Sequence, residues 1–265
     1  MEIIGFVLAI VMGFTLGLLG GGGSILTVPI LVYVLSINPV LATAYSLFVV
    51  GGTSVIGAWR KSSQNLVDWK TGLIFALPSL TAVFLTRYFL VPAIPAELFS
   101  LGEFVITRQV AIMVFFAIIM LLASYSMIKG RKEEQKQEEQ KPFNYPLILL
   151  EGAVVGVLTG LVGAGGGFLI VPALVLLVRL PIKTAIGTSL VIISIKSLIG
   201  FLGDLGSGQD IDWIFLLSFT AFSAVGMFIG IYATKFIKAD ALKKGFGWFV
   251  LAMAIFILLK ETVLS

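Results

Sequence analysis

Cysteine and histidine are both absent from this chain. That removes disulfides, thiol nucleophiles, thiolate and imidazole metal sites, and histidine acid–base catalysis. Charge is scarce as well: Asp, Glu, Lys and Arg make up 12% of the residues, against roughly a quarter in a soluble domain. Hydrophobic residues account for 58%, and the mean hydropathy of +1.09 is that of an integral membrane protein. The pattern G-x-x-x-x-G-K-[ST] is missing too, so no P-loop ATP hydrolysis is expected. Neither enzymatic activity, nor a cofactor, nor a resident metal is expected. The net charge of +4 is modest, needs no nucleic-acid partner, and reads as the positive-inside bias of membrane-protein loops. The chain opens Met1-Glu2 without a basic start, so its first apolar stretch is expected to stay in the mature protein.

Glycine, by contrast, is abundant and patterned. GLLGGGGSILTVPILV, from Gly17 to Val32, returns as GLVGAGGGFLIVPALV, from Gly160 to Val175. At this constant offset Gly17, Leu18, Gly20, Gly22, Gly23, Leu26, Val28, Pro29, Leu31 and Val32 all find identical counterparts. The register continues with Ala42, Ser46, Leu47, Ser54, Ile56 and Gly57 on Ala185, Ser189, Leu190, Ser197, Ile199 and Gly200. One inserted residue later, Asp68-Trp69 meets Asp212-Trp213. The chain therefore reads as two copies of one unit, a signature of secondary-transporter folds. The division is residues 1–128, a first membrane repeat; 129–145, a charged linker; and 146–265, a second membrane repeat.

Apolar stretches run at about Ile3–Leu19, Ile25–Ile37, Val40–Trp59, Thr71–Val91 and Gln109–Ile128, then Pro146–Val162, Phe168–Leu180, Thr184–Gly203, Trp213–Thr234 and Gly245–Leu259. The expected fold is an all-α polytopic membrane protein of two inverted repeats, with five such segments in each half. The segments directly after the glycines are about a dozen residues long and as helix would span only about 20 Å, too short to cross alone. Each glycine stretch is thus the end of a full span or the tip of a re-entrant hairpin. Asp68 and Asp212 are placed to cap the helices beside them, and Pro39 and Pro181 to start new ones.

Loop charges test the inversion. Loop 60–70 carries Arg60, Lys61 and Lys70, while its counterpart 203–213 carries Asp204, Asp210 and Asp212. Loop 92–107 has Glu97 and Glu103, where the second copy has Lys235, Lys238, Lys243 and Lys244. Loop 36–39 is uncharged, whereas Arg179 and Lys183 flank its counterpart. Equivalent loops thus differ in sign in the same sense throughout. A cytoplasmic linker puts every Lys and Arg inside except Arg87, Arg108, Lys260 and the intramembrane Lys196, and leaves both termini outside.

Consecutive glycines cannot form comfortable helix in lipid, since each costs about 1 kcal/mol relative to alanine. Gly21, Gly22, Gly23 and Ser24, and likewise Gly165, Gly166 and Gly167, should therefore be helix breaks, tolerated only beside protein or a polar cavity. The short helices that follow would direct unpaired N–H groups at those breaks, a geometry that favours an anion near the midplane. The plainer alternative, close helix packing, fits Gly13/Gly17, Gly156/Gly160 and Gly226/Gly230 better than the clusters. Lys196 lies deep in an apolar stretch opposite Thr53 of the first copy and is a candidate counter-charge for a substrate; contact with backbone carbonyls or Asp204 is the structural alternative. Ser46, Ser54, Thr188, Ser189, Ser194 and Ser197 offer hydroxyls, though serine and threonine also bond their own helix. Glu151 is the one plausible proton carrier, with an interfacial ion pair as its alternative reading.

The doubled glycine motifs ending in Val28-Pro29 and Val171-Pro172, the Asp-Trp pairs and the charged central linker resemble the sulfite exporter TauE/SafE family of membrane permeases. The resemblance covers nearly the whole chain. It implies a multi-pass protein of the bacterial or archaeal cell membrane that moves small sulfur-containing anions, sulfite or organosulfonates, commonly outward. The expected partners are that anion and lipid, with room for a homo-oligomer. A passive anion channel shares these features, and a non-transporting assembly subunit or membrane enzyme is the reading from another class.

Overall fold

A computed structural model describes residues 2–21, 23–37, 39–90, 93, 95, 97–101, 104–129, 145–162, 167–176, 178–205 and 211–263. The first half holds α1 (Glu2–Leu19), α2 (Gly23–Pro29, continued by a π-helical turn Ile30–Val34), α3 (Pro39–Ser62), α4 (Trp69–Leu85, continued by a π-helical turn Thr86–Leu90) and α5 (Arg108–Lys129). The second half holds α6 (Tyr145–Val162), α7 (Gly167–Leu176), α8 (Ile182–Leu205), α9 (Trp213–Ala233) and α10 (Ala239–Val263). Each expected apolar stretch holds a helix, although residues 35–37 and 178–180 lie past the ends of the two short ones, and α10 starts before the expected Gly245, taking in Lys243 and Lys244.

One feature departs from an all-α chain. Between α4 and α5, inside the expected loop 92–107, β1 (Glu97–Leu101) pairs antiparallel with β2 (Phe104–Thr107), Phe99 opposite Ile106 and Ser100 opposite Val105. Phe104-Val105-Ile106-Thr107 is an aromatic and β-branched run that suits a pleated strand better than a helix.

Among the described residues, four helical stretches are long and apolar enough to cross a bilayer: Leu41–Ser62, Ile182–Leu202, Trp213–Ala233 and Asp240–Lys260. Shorter apolar helices accompany them at Ile4–Leu19, Trp69–Leu85 and Ile148–Thr159. Large apolar side chains such as Leu77, Ile214 and Phe256 stand exposed, as lipid-facing residues of a multi-pass protein do.

Local chemistry sets the helix ends. The Asp68 carboxylate accepts from Thr71 N at 2.9 Å, and the Asp212 carboxylate accepts from Phe215 N at 3.0 Å, capping α4 and α9 as expected. The two short helices end alike. Ser36 and Arg179 both take positive φ, at 55° and 64°. Beyond them Ile37 N donates to Leu31 O, and Leu180 N to Leu174 O, both at 2.9 Å, each bond reaching back six residues across the left-handed position.

Packing pairs the halves. α1 lies chiefly on α9, α4 on α6, α3 on α8 and α5 on α10. Small residues allow this: Gly13 abuts the Ser223 carbonyl and Gly156 the Ser79 carbonyl, so a methyl group at either would collide with backbone. α3 and α8 run antiparallel, with Gly51 against Leu198, Gly57 against Leu190 and Gly200 against Leu47. These contacts set Thr53 level with Lys196, near the middle of both helices. Ile170, Leu174, Ile186, Leu190 and Ile193 are among the side chains at the centre of the larger buried cluster.

Candidate functional site

The first glycine cluster breaks the helix. Gly20 adopts φ 74°, a conformation open to glycine at no steric cost, and its position leaves no space for a side chain because Ile186 Cα is 2.8 Å from where a Cβ would stand. The Ser189 hydroxyl lies 2.7 Å from Gly20 O and 2.8 Å from Ile186 O, so α8 of the second half fixes the break of the first. The chain then folds back, with Gly23 against Leu16 and the Met12 carbonyl and Leu35 returning to Gly5. α1 and α2 are therefore the two arms of a helical hairpin whose tip is the glycine cluster. Of the expected site residues, Gly22, Gly165 and Gly166 lie outside the described residues.

The starts of the two short helices meet. Ser24 Oγ donates to Gly21 O at 2.7 Å and sits 2.9 Å from where a Cβ of Gly167 would be. Ser24 and Gly167 are counterparts in the repeated motif, so equivalent points of the two copies touch each other. The Ile193 side chain closes on the same Gly167 position.

On α8, Ile186, Ser189, Ile193 and Lys196 recur at helical spacing and share a face. The first two meet Gly20, the third meets Gly167, and Lys196 comes one turn later. Lys196 is buried, and its Nζ donates to Thr159 Oγ1 at 3.1 Å on α6, one turn before that helix ends at Val162. Thr159 in turn donates to Gly156 O. The Asp204 side chain lies outside the described residues.

Other expected residues fall elsewhere. Thr53 is buried and donates to Ser223 Oγ at 3.1 Å, so it turns towards α9 rather than to the break. Ser194 donates to Val191 O of its own helix at 2.8 Å. Thr188 accepts the Asp68 N–H at 2.9 Å and so serves the α4 cap. Ser46 and Ser197 are buried, and Ser54 is buried with no partner for its hydroxyl among the described residues. Glu151 is 5% exposed, and its Oε2 has no hydrogen-bond partner among the described residues. It lies early in α6, about 16 Å along the helix from the end at Val162.

Two residues were missed by sequence reasoning. Lys61, expected in a basic loop, is wholly buried at the end of α3, with Nζ donating to Thr234 Oγ1 at 3.0 Å. Its neighbour Arg60 made the pair look like loop charge. Ser79 on α4 is wholly buried with an unpartnered hydroxyl; its alignment with Ser223 was the signal that could have found it.

The sequence model described as "Sulfite exporter TauE/SafE" matches residues 5–257. A "Probable membrane transporter protein" of Xylella fastidiosa is 31% identical over 253 residues, covering 93% of this chain and 90% of its own. The Bacillus subtilis "Probable membrane transporter protein YunE" is 30% identical over 240 residues, covering 80% and 82%. A Haemophilus influenzae protein with the same description as the first is 26% identical over 270 residues, covering 94% of each chain. No solved structure matches significantly. A helical membrane protein whose glycine-rich motif occurs twice, matched over nearly its whole length, this chain belongs to the sulfite exporter TauE/SafE family and is a membrane transporter.

Proposed function

We propose that the protein is a secondary transporter that carries small sulfur-containing oxyanions, sulfite or an organosulfonate, out of the cell. One observation carries this reading: the starts of α2 and α7 meet at Ser24 and Gly167, and Lys196 lies one turn along α8 from the Ile193 that packs there. Helix N-termini and an ammonium at mid-helix depth together favour an anion. Gly21, Gly22, Gly23, Ser24, Gly165, Gly166, Gly167 and Lys196 are the proposed substrate contacts. Ser189 holds the break itself. Export needs no second energy source, because an inside-negative potential favours anion exit by about 2.3 kcal/mol per charge per 100 mV. Glu151 is the proposed proton carrier should transport be proton-coupled.

The architecture we propose is two inverted repeats, 1–128 and 146–265, joined by a cytoplasmic linker, with both termini outside. Its support is the packing. Exchanging the halves turns the α1–α9 pair into α6–α4 and maps α3–α8 onto itself, and α3 and α8, which are counterparts, run antiparallel. Single cysteines at Gln135 and Gly208 test the sidedness, since the native chain has none; labelling of both from the same face of intact cells would rule the inversion out. For function, the purified protein in liposomes should show saturable uptake of labelled sulfite or methanesulfonate, accelerated by the same anion inside. Flux that neither saturates nor responds to counterflow would make it a channel, and no flux of either anion would end the sulfur-anion reading.

A further inference from the structure

Thr53 and Lys196 occupy equivalent positions, and so do Ser223 on α9 and Ser79 on α4. In the first half the pair is closed. Thr53 Oγ1 donates to Ser223 Oγ, whose own proton is directed at Met12 Sδ 3.7 Å away, and Gly13 rests on the Ser223 carbonyl. Every hydroxyl there has a partner.

The second half builds the same junction from other residues. α4 runs parallel to α8, with Gly72 against Thr188 and Val191 and Asp68 N donating to Thr188 Oγ1 at 2.9 Å. Two turns further along both helices Ser79 comes level with Lys196. α6 closes the junction: Gly156 rests on the Ser79 carbonyl, and Thr159, one turn on, accepts from Lys196. Lys196 replaces Thr53, Thr159 replaces Leu16, and Val155, which has no acceptor, replaces Met12. The Ser79 hydroxyl is wholly buried and has no hydrogen-bond partner among the described residues. A buried hydroxyl left unpaired is costly, and a group bound there would satisfy it. Thr159 has committed its own proton to Gly156 O, so Ser79 is the hydroxyl donor still available at this junction.

We propose that Ser79 and Lys196 form an off-axis anion subsite in the second half. The Ser79 hydroxyl and the Lys196 ammonium donate to two oxygens of an oxyanion head group, while Thr53–Ser223 is the closed counterpart that only holds helices together. The subsite rests on the reading of Lys196 as the substrate's counter-charge, and it makes the pathway one-sided although the scaffold is doubled.

The test uses the purified full-length protein titrated separately with sulfite, sulfate, thiosulfate and methanesulfonate, reading Kd by calorimetry and Tm without ligand. Ser79→Ala should raise Kd about tenfold for whichever probe binds, with Tm unchanged or higher. Ser223→Ala should lower Tm and leave Kd within about twofold. Should Ser79→Ala not accumulate, Ser79→Cys fills nearly the same space with a weaker donor and should raise Kd in the same direction. Wild-type Kd in the Ser79 variants, alongside weakened binding in Lys196→Gln, would overturn the subsite and leave the counter-charge in place. Wild-type Kd in all of them, or a wild-type protein that binds none of the four anions, would overturn both.

Discussion

Among the described residues two lysines are buried, and their surroundings differ. Lys61 sits at the end of α3 and reaches Thr234, the C-cap of α9, so its ammonium lies where two helices present their final carbonyls. Such ends carry partial negative charge and stabilise a cation. Lys196 is at the middle of α8, where backbone carbonyls are already used by the helix, and its Nζ contacts the Thr159 hydroxyl. Burial alone therefore does not mark a functional charge. Depth along the helix and the company of free carbonyls set the two lysines apart.

The difference can be broken most forcefully at Lys61. Lys61→Ala removes a packed stem and a charge-assisted hydrogen bond, and should cost about 2–3 kcal/mol, read as a lower Tm, with anion Kd unchanged. Loss of binding without loss of Tm would place Lys61 on the substrate route. Next in size, Lys196→Gln should raise Kd at least about tenfold, equivalent to about 1.4 kcal/mol, while Tm changes little. Lys196→Arg should keep part of the affinity, limited by the planar fork of a guanidinium. An unaltered Kd in a folded Lys196→Gln protein would assign both lysines to structure. The smallest effect tests the doubling itself. Ser36→Gly and Arg179→Gly each relieve a left-handed residue and should add about 0.5 kcal/mol of stability, seen as small and equal rises in Tm. A rise in one and a fall in the other would show that the two caps are not equivalent.

Much of this arrangement could be read from residue order. The first glycine cluster announced the break after Leu19 because consecutive glycines forfeit helix stability locally, without reference to any partner. Asp68 and Asp212 were readable as caps for the same reason: the aspartate and the amide it accepts from are three residues apart. Lys196 stood out because it is the one charge in the apolar stretch Thr184–Gly203. What stayed hidden depends on the other half of the chain. Lys61 is buried by Thr234, 173 positions away, and Thr53 is turned from the break by Ser223, 170 positions away. The hairpin of Glu97–Leu101 and Phe104–Thr107 escaped because two acidic residues, Glu97 and Glu103, made the stretch look like an ordinary loop.

The hydrogen bond from Ser189 to the Gly20 carbonyl spans 169 residues of sequence, and it sets a clock. A ribosome adding about 5–20 residues per second makes Ser189 about 10–30 s after Gly20. Throughout that interval the first hairpin tip is already made while the helix that secures it has not yet been synthesised. Its exposed carbonyl must be borne by water or by the insertion machinery until the second half arrives, so the first half inserts early but matures late.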